Sequence, residues 1–119
     1  MPSEAAARQL ADRWIDAWNS HDVDAILALY TDDVEFTSPF VVNITGDESG
    51  VIRGKDALRT FFVRVLNAYR DLRYELDGVA AGIWSIAIVY RSVGEQLGVE
   101  VMQLEGECAR RVLAHYGQR

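Results

Sequence analysis

The sequence predicts an α+β protein in which helices come first and an antiparallel sheet follows. Apolar residues recur mostly at helical spacing up to about residue 70 and at strand spacing after it. Strands and helices do not alternate along the chain, which argues against a parallel sheet. The 119 residues, of which 50% are hydrophobic, fit one domain covering 1–119.

Two helices are predicted ahead of the first strand. Ser3 is a favourable N-cap for the first helix, in which Trp14 and Trp18 belong to a set of apolar residues at helical spacing. Residues 19–21 interrupt that pattern. Asp22 then stands where it can cap a short second helix.

One strand and a third helix are predicted next. Residues 34–40 alternate as a strand does, and Pro39 ends that strand or confines it to an edge. The glycines and polar residues of 43–54 are typical of a loop or a short irregular hairpin. The third helix is predicted from Lys55 to about Arg70, where apolar residues form a broad face.

The strands of an antiparallel sheet are predicted after that helix. Residues 72–77 alternate between apolar and charged side chains, and residues 83–91 are almost continuously apolar. Residues 99–105 and 108–116 would pair with each other across Gly106.

Charge and cysteine content weigh against several kinds of partner. Twelve basic and 18 acidic residues give a net charge of −6, whereas nucleic acids and anionic membranes attract basic faces. We find no membrane-spanning run and no signal-peptide core. Cys108 is the single cysteine and cannot form an internal disulfide, so we expect a cytoplasmic protein.

Motifs for cofactor or metal chemistry are missing from the sequence. It has no glycine-rich nucleotide loop, no zinc-protease motif and no serine-hydrolase motif. Two histidines and one cysteine are too few for a dedicated zinc site. We therefore expect neither a cofactor nor a metal.

Aromatic side chains are expected to face the interior in unusual number. Large rings at helical spacing fill a core in many proteins, but they also form the walls of apolar cavities in which a few polar groups orient a ligand. The sequence leaves both interpretations open. The rings concerned are Trp14, Trp18, Tyr30, Phe36, Phe40, Phe62, Tyr69 and Trp84.

Glu100 is the most informative polar residue. Strand alternation places it on one face with Met102 and Leu104. A carboxylate on an apolar face is costly unless it is paired or protonated, and burial would raise its pKa into the range of a general acid or base. The alternative is that its valine neighbours face inward and Glu100 is solvated or paired with an arginine.

The residue opposite Glu100 on the last strand depends on the preceding turn. If residues 105–107 form the turn, Val112 lies opposite Glu100. If residues 106–107 alone form it, Leu113 lies opposite instead. A slip of one residue moves every side chain to the other face of the sheet.

The two registers also bring different basic residues near the carboxyl group. The three-residue turn places Arg110 diagonal to it, whereas the two-residue turn places Arg111 and His115 on its face. We favour the three-residue turn because it keeps Cys108 and Tyr116 inward. His115 would then be a surface or dimer-interface residue.

Three segments resemble a known superfamily. Residues 14–36, WIDAWNSHDVDAILALYTDDVEF, resemble the opening helices and first strand of the SnoaL-like branch of the NTF2-like superfamily. Residues 54–62, GKDALRTFF, resemble its third helix, and residues 99–108 and 114–116 its terminal hairpin. The similarity covers nearly the whole chain and is most specific in the first half.

The resemblance implies a conical α+β fold with a pocket. Three N-terminal helices would pack into a strongly curved, mostly antiparallel sheet, and homodimers are frequent in the superfamily. Its members include ketosteroid isomerases, polyketide cyclases, epoxide hydrolases, dehydratases and binding proteins. A shared fold therefore does not determine the activity.

The catalytic residues of ketosteroid isomerase carry over only in part. That enzyme uses an aspartate base with a tyrosine and a protonated aspartate as hydrogen-bond donors. By the resemblance, the base falls on Ser38, the tyrosine on Trp14 and the protonated aspartate on Glu100. A serine without a base of its own cannot abstract a carbon-bound proton, so steroid isomerisation by that mechanism is not expected.

The leading functional hypothesis is a cofactor-independent acid–base enzyme that acts on a small, cyclic, apolar ketone or phenol. Glu100 would move the proton, with Ser38 and His115 as further candidates, and Ser38, Trp14 and Tyr30 would position an oxygen. The alternative is a non-catalytic dimeric module that binds a ligand or a protein partner. The proposed walls are Trp18, Phe36, Phe62, Tyr69, Trp84 and Met102.

Overall fold

A computed structural model describes residues 1–118 and has the α+β architecture that the sequence predicts. Helices and strands follow one another in an order that places most strands in the second half. The elements are α1 Glu4–Ser20, α2 Val23–Leu27, β1 Tyr30–Thr37, α3 Pro39–Thr45, β2 Val51–Arg53, α4 Lys55–Ala68, β3 Glu75–Gly82, β4 Ser85–Arg91, a 3-10 turn Val93–Glu95, β5 Leu97–Glu105 and β6 Cys108–Gly117.

The strands form a curved six-stranded sheet in the order β2-β1-β6-β5-β4-β3. All neighbouring strands are antiparallel except β1 and β6, which are parallel. Buried residues of α1, α2 and α4 join those of the inward sheet face in one hydrophobic core. The prediction of a mostly antiparallel sheet packed by helices is confirmed.

The first two helices begin and end where the sequence predicts. The Ser3 hydroxyl accepts a hydrogen bond from the Ala6 amide at 3.1 Å, and His21 ends α1 in the left-handed conformation. Asp22 accepts hydrogen bonds from the amides of Asp24 and Ala25. These side chains satisfy amide groups that a helix N-terminus otherwise leaves unpaired.

The region after the first strand differs from the prediction. The strand runs from Tyr30 to Thr37 rather than over residues 34–40, and Pro39 starts α3 instead of lying in a strand. Proline suits the first position of a helix because no hydrogen bond is needed from that nitrogen. The segment 43–54, predicted as a loop or hairpin, contains the end of α3 and the short strand β2.

The β5–β6 hairpin has neither of the registers considered from the sequence. Its turn has two residues, Gly106 and Glu107. Arg110 is an extra, unpaired residue in β6, and this bulge shifts the pairing of every later β6 residue by one position. Glu100 therefore lies opposite Ala114. The bulge turns Tyr116 inward. The sequence predicts the same orientation for Tyr116, but from a three-residue turn.

Trp84 does not face the interior. It lies at the tip of the β3–β4 hairpin with a positive φ of 47°, and 57% of its surface is exposed. The expectation that it forms part of an aromatic wall was wrong, because residues 83–84 form the turn rather than the start of a strand.

No helix within residues 1–118 is long and apolar enough to cross a membrane.

Candidate active site

An aromatic cavity lies between the helices and the inward face of the sheet. Seven of the eight rings that the sequence singled out line it, and Trp84 is the exception. The lining residues are Trp14, Trp18, Tyr30, Phe36, Ser38, Phe40, Phe61, Phe62, Val65, Tyr69, Tyr74, Val93, Glu100 and Tyr116.

The cavity is narrow. Its empty space is about 390 Å³ including the open mouth, but only about 20 Å³ can hold the centre of a water molecule. A single water needs roughly 10–15 Å³ by that measure, whereas drug-sized ligands occupy pockets of about 300–1,000 Å³. An organic ligand can therefore enter only if an aromatic side chain of the lining moves. Phe40 is one such side chain, and its ring packs edge-on against both Tyr69 and Tyr116.

Glu100 lies in the cavity wall with 2% of its surface exposed. The Tyr90 hydroxyl donates a hydrogen bond to its Oε1 at 2.8 Å, and the Tyr116 hydroxyl donates to the same oxygen at a longer 3.4 Å. Its Oε2 has no hydrogen-bond partner within residues 1–118. Glu100 is thus held through one oxygen, and its other oxygen is buried without a partner among the described residues.

Strand register explains why two tyrosines reach one carboxyl group. Tyr90 on β4 and Tyr116 on β6 are both directly opposite Gly98, two residues before Glu100 on the same face of β5. A Cβ atom on residue 98 would lie 2.5 Å from the Tyr90 ring. Because glycine has no side chain, the Tyr90 ring can lie across it with its hydroxyl at Glu100.

Burial controls the ionisation of this cluster. Desolvation raises the pKa of Glu100 from 4.5 to about 7, although the hydrogen bonds from Tyr90 and Tyr116 partly oppose it. Burial and then the Glu100 carboxylate raise the pKa of Tyr90, Tyr116 and Tyr30 well above the ordinary value of 10. Near neutral pH the tyrosines of this cluster are therefore neutral, and Glu100 is present in both its protonated and its ionised form.

Two indole groups lie beside the Tyr30 hydroxyl. Trp14 Nε1 donates to that hydroxyl at 3.0 Å. A long contact from the Trp18 indole also lowers the pKa of Tyr30, but the buried Trp18 Nε1–H lies outside hydrogen-bond geometry to every atom in the described part of the chain. Of the two indole donors, Trp14 is already engaged and Trp18 is not.

Ser38 is fixed by its role in the backbone. It is buried, and its Oγ accepts the Phe40 amide at 3.1 Å as the N-cap of α3. The side chain also contacts Tyr116, where its hydrogen bond lowers the pKa of that phenol. Ser38 therefore connects α3 to the tyrosine–glutamate cluster and has no base beside it.

Two other predicted site residues lie outside the cavity. His115 is exposed, and its Nδ1 lies 3.0 Å from the Leu113 carbonyl oxygen. Met102 is buried but does not line the cavity. His115 lies on the outer face of the sheet because the bulge at Arg110 shifts the register of β6.

Tyr90 and Tyr74 were not identified as site residues from the sequence. Tyr90 shares an inward face with Ile86 and Ile88, so alternation signalled its burial but not its contact with Glu100. Tyr74 stacks on Trp14 at a ring-centroid distance of 5.5 Å.

No group of three metal-ligating side chains is present in residues 1–118 that could hold an ion.

A curved sheet packed by helices is also the fold of NTF2-like α+β proteins among the solved structures that match this chain. The family model of the SnoaL-like domain matches residues 11–107. The chain therefore belongs to the SnoaL-like family. No curated protein matches it significantly.

Solved structures agree with this assignment. A SnoaL-like protein of unknown function from Burkholderia thailandensis is 40% identical, with a TM-score of 0.92 over 97% of each chain. A candidate ketosteroid isomerase from Kribbella flavida is 20% identical, with a TM-score of 0.74 over 98% of this chain and 81% of that one. A candidate isomerase of the SnoaL-like family from Agrobacterium tumefaciens is 12% identical, with a TM-score of 0.76 over 95% and 98%. The last two show the shared fold alone.

Proposed function

We propose that the protein is a cofactor-independent acid–base enzyme that moves a proton on a small, cyclic, apolar carbonyl compound, as isomerases do. The observation that carries the proposal is the unpartnered Oε2 of Glu100 in the wall of an aromatic cavity. A buried polar atom without a partner costs roughly 1–3 kcal/mol, and such atoms in native structures call for an explanation. Proton transfer to a ligand provides one.

The proposed chemistry uses groups of this chain alone. Ionised Oε2 takes a proton from the carbon next to the carbonyl group, the C–H electron pair forms a carbon–carbon double bond, and the carbonyl π pair moves onto oxygen. Neutral Glu100 then returns the proton to the same carbon or to another. A pKa of about 7 suits this role because both forms of the acid are populated near neutral pH.

The choice of Glu100 over other residues rests on burial and position. Glu100 is the one acidic side chain among residues 1–118 that lines the cavity. Ser38 has no adjacent base, and His115 lies on the other face of the sheet. The names of the structural neighbours from Kribbella flavida and Agrobacterium tumefaciens are in keeping with an isomerase-type reaction.

Hydrogen–deuterium exchange into cyclohexanone tests the proposal without knowledge of the natural substrate. NMR in D₂O would follow loss of the α-proton signals with and without protein. We expect the protein to accelerate exchange and Glu100→Gln to abolish the acceleration while keeping the fold. Glu105→Gln, an exposed substitution on the same strand, is the matched control and should retain it. Equal rates for wild type and Glu100→Gln would refute the assignment.

A non-catalytic binding module is the second candidate, and the narrowness of the cavity favours it. A protein of this kind would bind cyclohexanone or a related ring without accelerating exchange. Replacement of Glu100 by Gln would then leave the ligand affinity nearly unchanged. The exchange experiment and a binding titration on the same samples separate the two functions.

We also propose that the chain forms a homodimer through the outer face of the sheet. Val99, Val101 and Leu113 lie there on neighbouring strands, and Leu113 has 36% of its surface exposed. Apolar side chains grouped on one sheet face favour association. Sedimentation velocity should show a dimer for the wild type and a monomer for Leu113→Glu, and a wild-type monomer would contradict the proposal.

A further inference from the structure

Val93 lies between the aromatic cavity and the solvent. Among residues 1–118 it is the one residue that lines three neighbouring spaces: the aromatic cavity, a hollow of about 740 Å³ and a second hollow of about 430 Å³. The larger hollow, which we call the vestibule, is lined by residues 68–73, Glu75 and residues 91–95. The smaller one lies between the β4–β5 loop and the end of β6. Val93 therefore stands at the mouth of the cavity.

Tyr69 forms the other side of this mouth. It lines both the cavity and the vestibule. Tyr69 directly follows the 14-residue helix α4, and its ring packs edge-on against Phe40 at a centroid distance of 5.8 Å. Val93, in contrast, is a partly buried residue of a short loop. Of the two sides of the mouth, Val93 is thus the one that moves more easily.

The tip of the β4–β5 loop is weakly anchored. Gly94 and Glu95 follow Val93 in the left-handed conformation with φ of 66° and 64°, which is unfavourable for a residue other than glycine. The Glu95 amide donates to the Ser92 carbonyl oxygen at 3.1 Å. Arg91 forms an ion pair with Glu95 at 3.4 Å, but Glu95 is exposed and such pairs contribute little. Movement of the tip therefore breaks few strong contacts and relieves the strain at Glu95.

A route past Phe61 is less favourable. Phe61 lies between the cavity and a hollow of about 290 Å³ beside α4. Its ring is buried and packs against Phe36 and Phe62 at centroid distances of 5.9 and 6.0 Å. Displacement of that ring would open the hydrophobic core, whereas displacement of Val93 opens only the mouth.

We propose that Val93 is the gate of the aromatic cavity, and that a small apolar ring compound enters and leaves through the vestibule when the loop tip carries Val93 aside. The gate explains how a cavity with room for about one water molecule can take up an organic ligand. It serves an enzyme and a binding module alike, so it goes beyond the proposed proton transfer. Val93 then sets the rate of ligand exchange.

Quenching of tryptophan fluorescence by acrylamide tests the gate without a ligand. Acrylamide is a small neutral molecule that must collide with an indole to quench it. Trp14 and Trp18 line the cavity and are 2% and 4% exposed, so the quencher reaches them only when the protein opens. The measurement uses a Trp84→Phe background, because Trp84 is exposed at a hairpin tip and would dominate the signal.

Two valine substitutions are compared in that background. Val93→Ala removes two carbon atoms at the mouth, whereas Val65→Ala removes the same atoms from a cavity wall residue on α4 that does not line the vestibule. We expect Val93→Ala to raise the quenching rate constant about fivefold, through the lost contacts of two partly buried carbon atoms, and Val65→Ala to raise it by less than about twofold. Equal increases, or no increase for Val93→Ala, would overturn the proposal.

Ligand exchange provides a second measurement. Stopped-flow fluorescence of Trp14 and Trp18 on mixing with 1-decalone gives the association and dissociation rate constants. A gate is crossed in both directions, so Val93→Ala should increase both rate constants by about fivefold and change Kd by less than about twofold. An unchanged association rate constant contradicts the gate. Faster dissociation alone contradicts it too, because a lost contact with the bound ligand has that effect.

These outcomes are separate from the test of proton transfer. If the protein does not accelerate exchange into cyclohexanone, the acid–base function fails, and the quenching of Val93→Ala against Val65→Ala still decides whether the gate exists. If Glu100→Gln abolishes exchange while the two valine variants are quenched alike, the function stands and the gate fails.

Discussion

The ring of Tyr90 lies across Gly98 so closely that a Cβ atom at position 98 would be 2.5 Å from the ring carbon that bears the hydroxyl. The two residues are paired in register on β4 and β5. The contact sets the direction of the Tyr90 side chain along the sheet and brings its hydroxyl to Glu100 at 2.8 Å. A backbone position without a side chain therefore determines the geometry of the candidate catalytic carboxyl group.

Replacement of Gly98 by alanine should disturb this arrangement. The added methyl group has to displace the Tyr90 ring, and forced overpacking of a core typically costs about 1–3 kcal/mol. We expect the urea midpoint to fall by a corresponding amount at an unchanged m-value. Gly78→Ala, in β3, is the matched control because nothing lies within 4 Å of the added carbon. A Gly98→Ala protein as stable as the Gly78→Ala protein would show that the contact is not restrictive.

The two tyrosines should differ in their influence on Glu100. Both hydrogen bonds favour the ionised carboxylate and so lower its pKa, but the Tyr90 contact is 2.8 Å and the Tyr116 contact 3.4 Å. Tyr90→Phe should therefore raise the pKa of Glu100 above 7 by more than Tyr116→Phe does. ¹³C NMR of the side-chain carboxyl groups gives both values, with the Glu100 signal assigned by its loss in Glu100→Gln. The reverse order would contradict the distances.

The stability of the protein should depend on pH through Glu100. The carboxyl group keeps its proton up to about pH 7 in the folded state, whereas the unfolded chain releases it near 4.5. The folded state thus binds more protons between these values, and the free energy of unfolding decreases as pH rises through the interval. The contribution is complete below about pH 4.5 and is lost above about pH 7, with a magnitude on the order of 3 kcal/mol.

Urea unfolding at several pH values between 4.5 and 8 would measure this dependence. The comparison is with Glu100→Gln, which cannot ionise and lacks the contribution, so that other titrating groups cancel in the difference. The titratable groups facing Glu100 are Tyr90, Tyr116, Tyr74 and Tyr30, and burial keeps each of these phenols neutral across the range. Parallel curves for the two proteins would mean that Glu100 ionises normally.

Much of this fold could be predicted from hydrophobic periodicity and capping residues. Trp14 and Trp18 mark the buried face of α1, and Ser3 and Asp22 mark helix starts, because these signals act over a few residues. Alternation on β5 grouped Glu100 with Met102 but left open which face points inward, and the structure buries both side chains.

Features that depend on longer-range geometry could not be predicted in the same way. The bulge at Arg110 has no sequence signal of its own, and it decides that Ala114 rather than Val112 or Leu113 faces Glu100. Trp84 is apolar and follows another apolar residue, so the hydrophobic pattern did not predict the turn that exposes it. The contact of Tyr90 with Glu100 joins two strands and depends on a glycine in the second, which single-strand patterns do not reveal.

Phe40 should limit the size of the ligands that the cavity admits. Its ring on α3 lies 4.6 Å from the Tyr116 ring and 5.8 Å from the Tyr69 ring, measured between centroids, where it lines the cavity. In Phe40→Ala this ring no longer has to move for a ligand to enter. We expect a two-ring ketone such as 1-decalone to bind on the order of tenfold more tightly, a change of about 1.4 kcal/mol.

Cyclohexanone affinity should change less than decalone affinity in Phe40→Ala, because the smaller ring needs less space. Val42→Ala is the control, since that residue lies on the same helix with 38% of its surface exposed and does not line the cavity. NMR titration of both ketones against the three proteins gives the comparison. If decalone binds the wild type and Phe40→Ala equally well, a different ring restricts the cavity, and the edge-on packing of Phe40 against Tyr69 and Tyr116 serves the core alone.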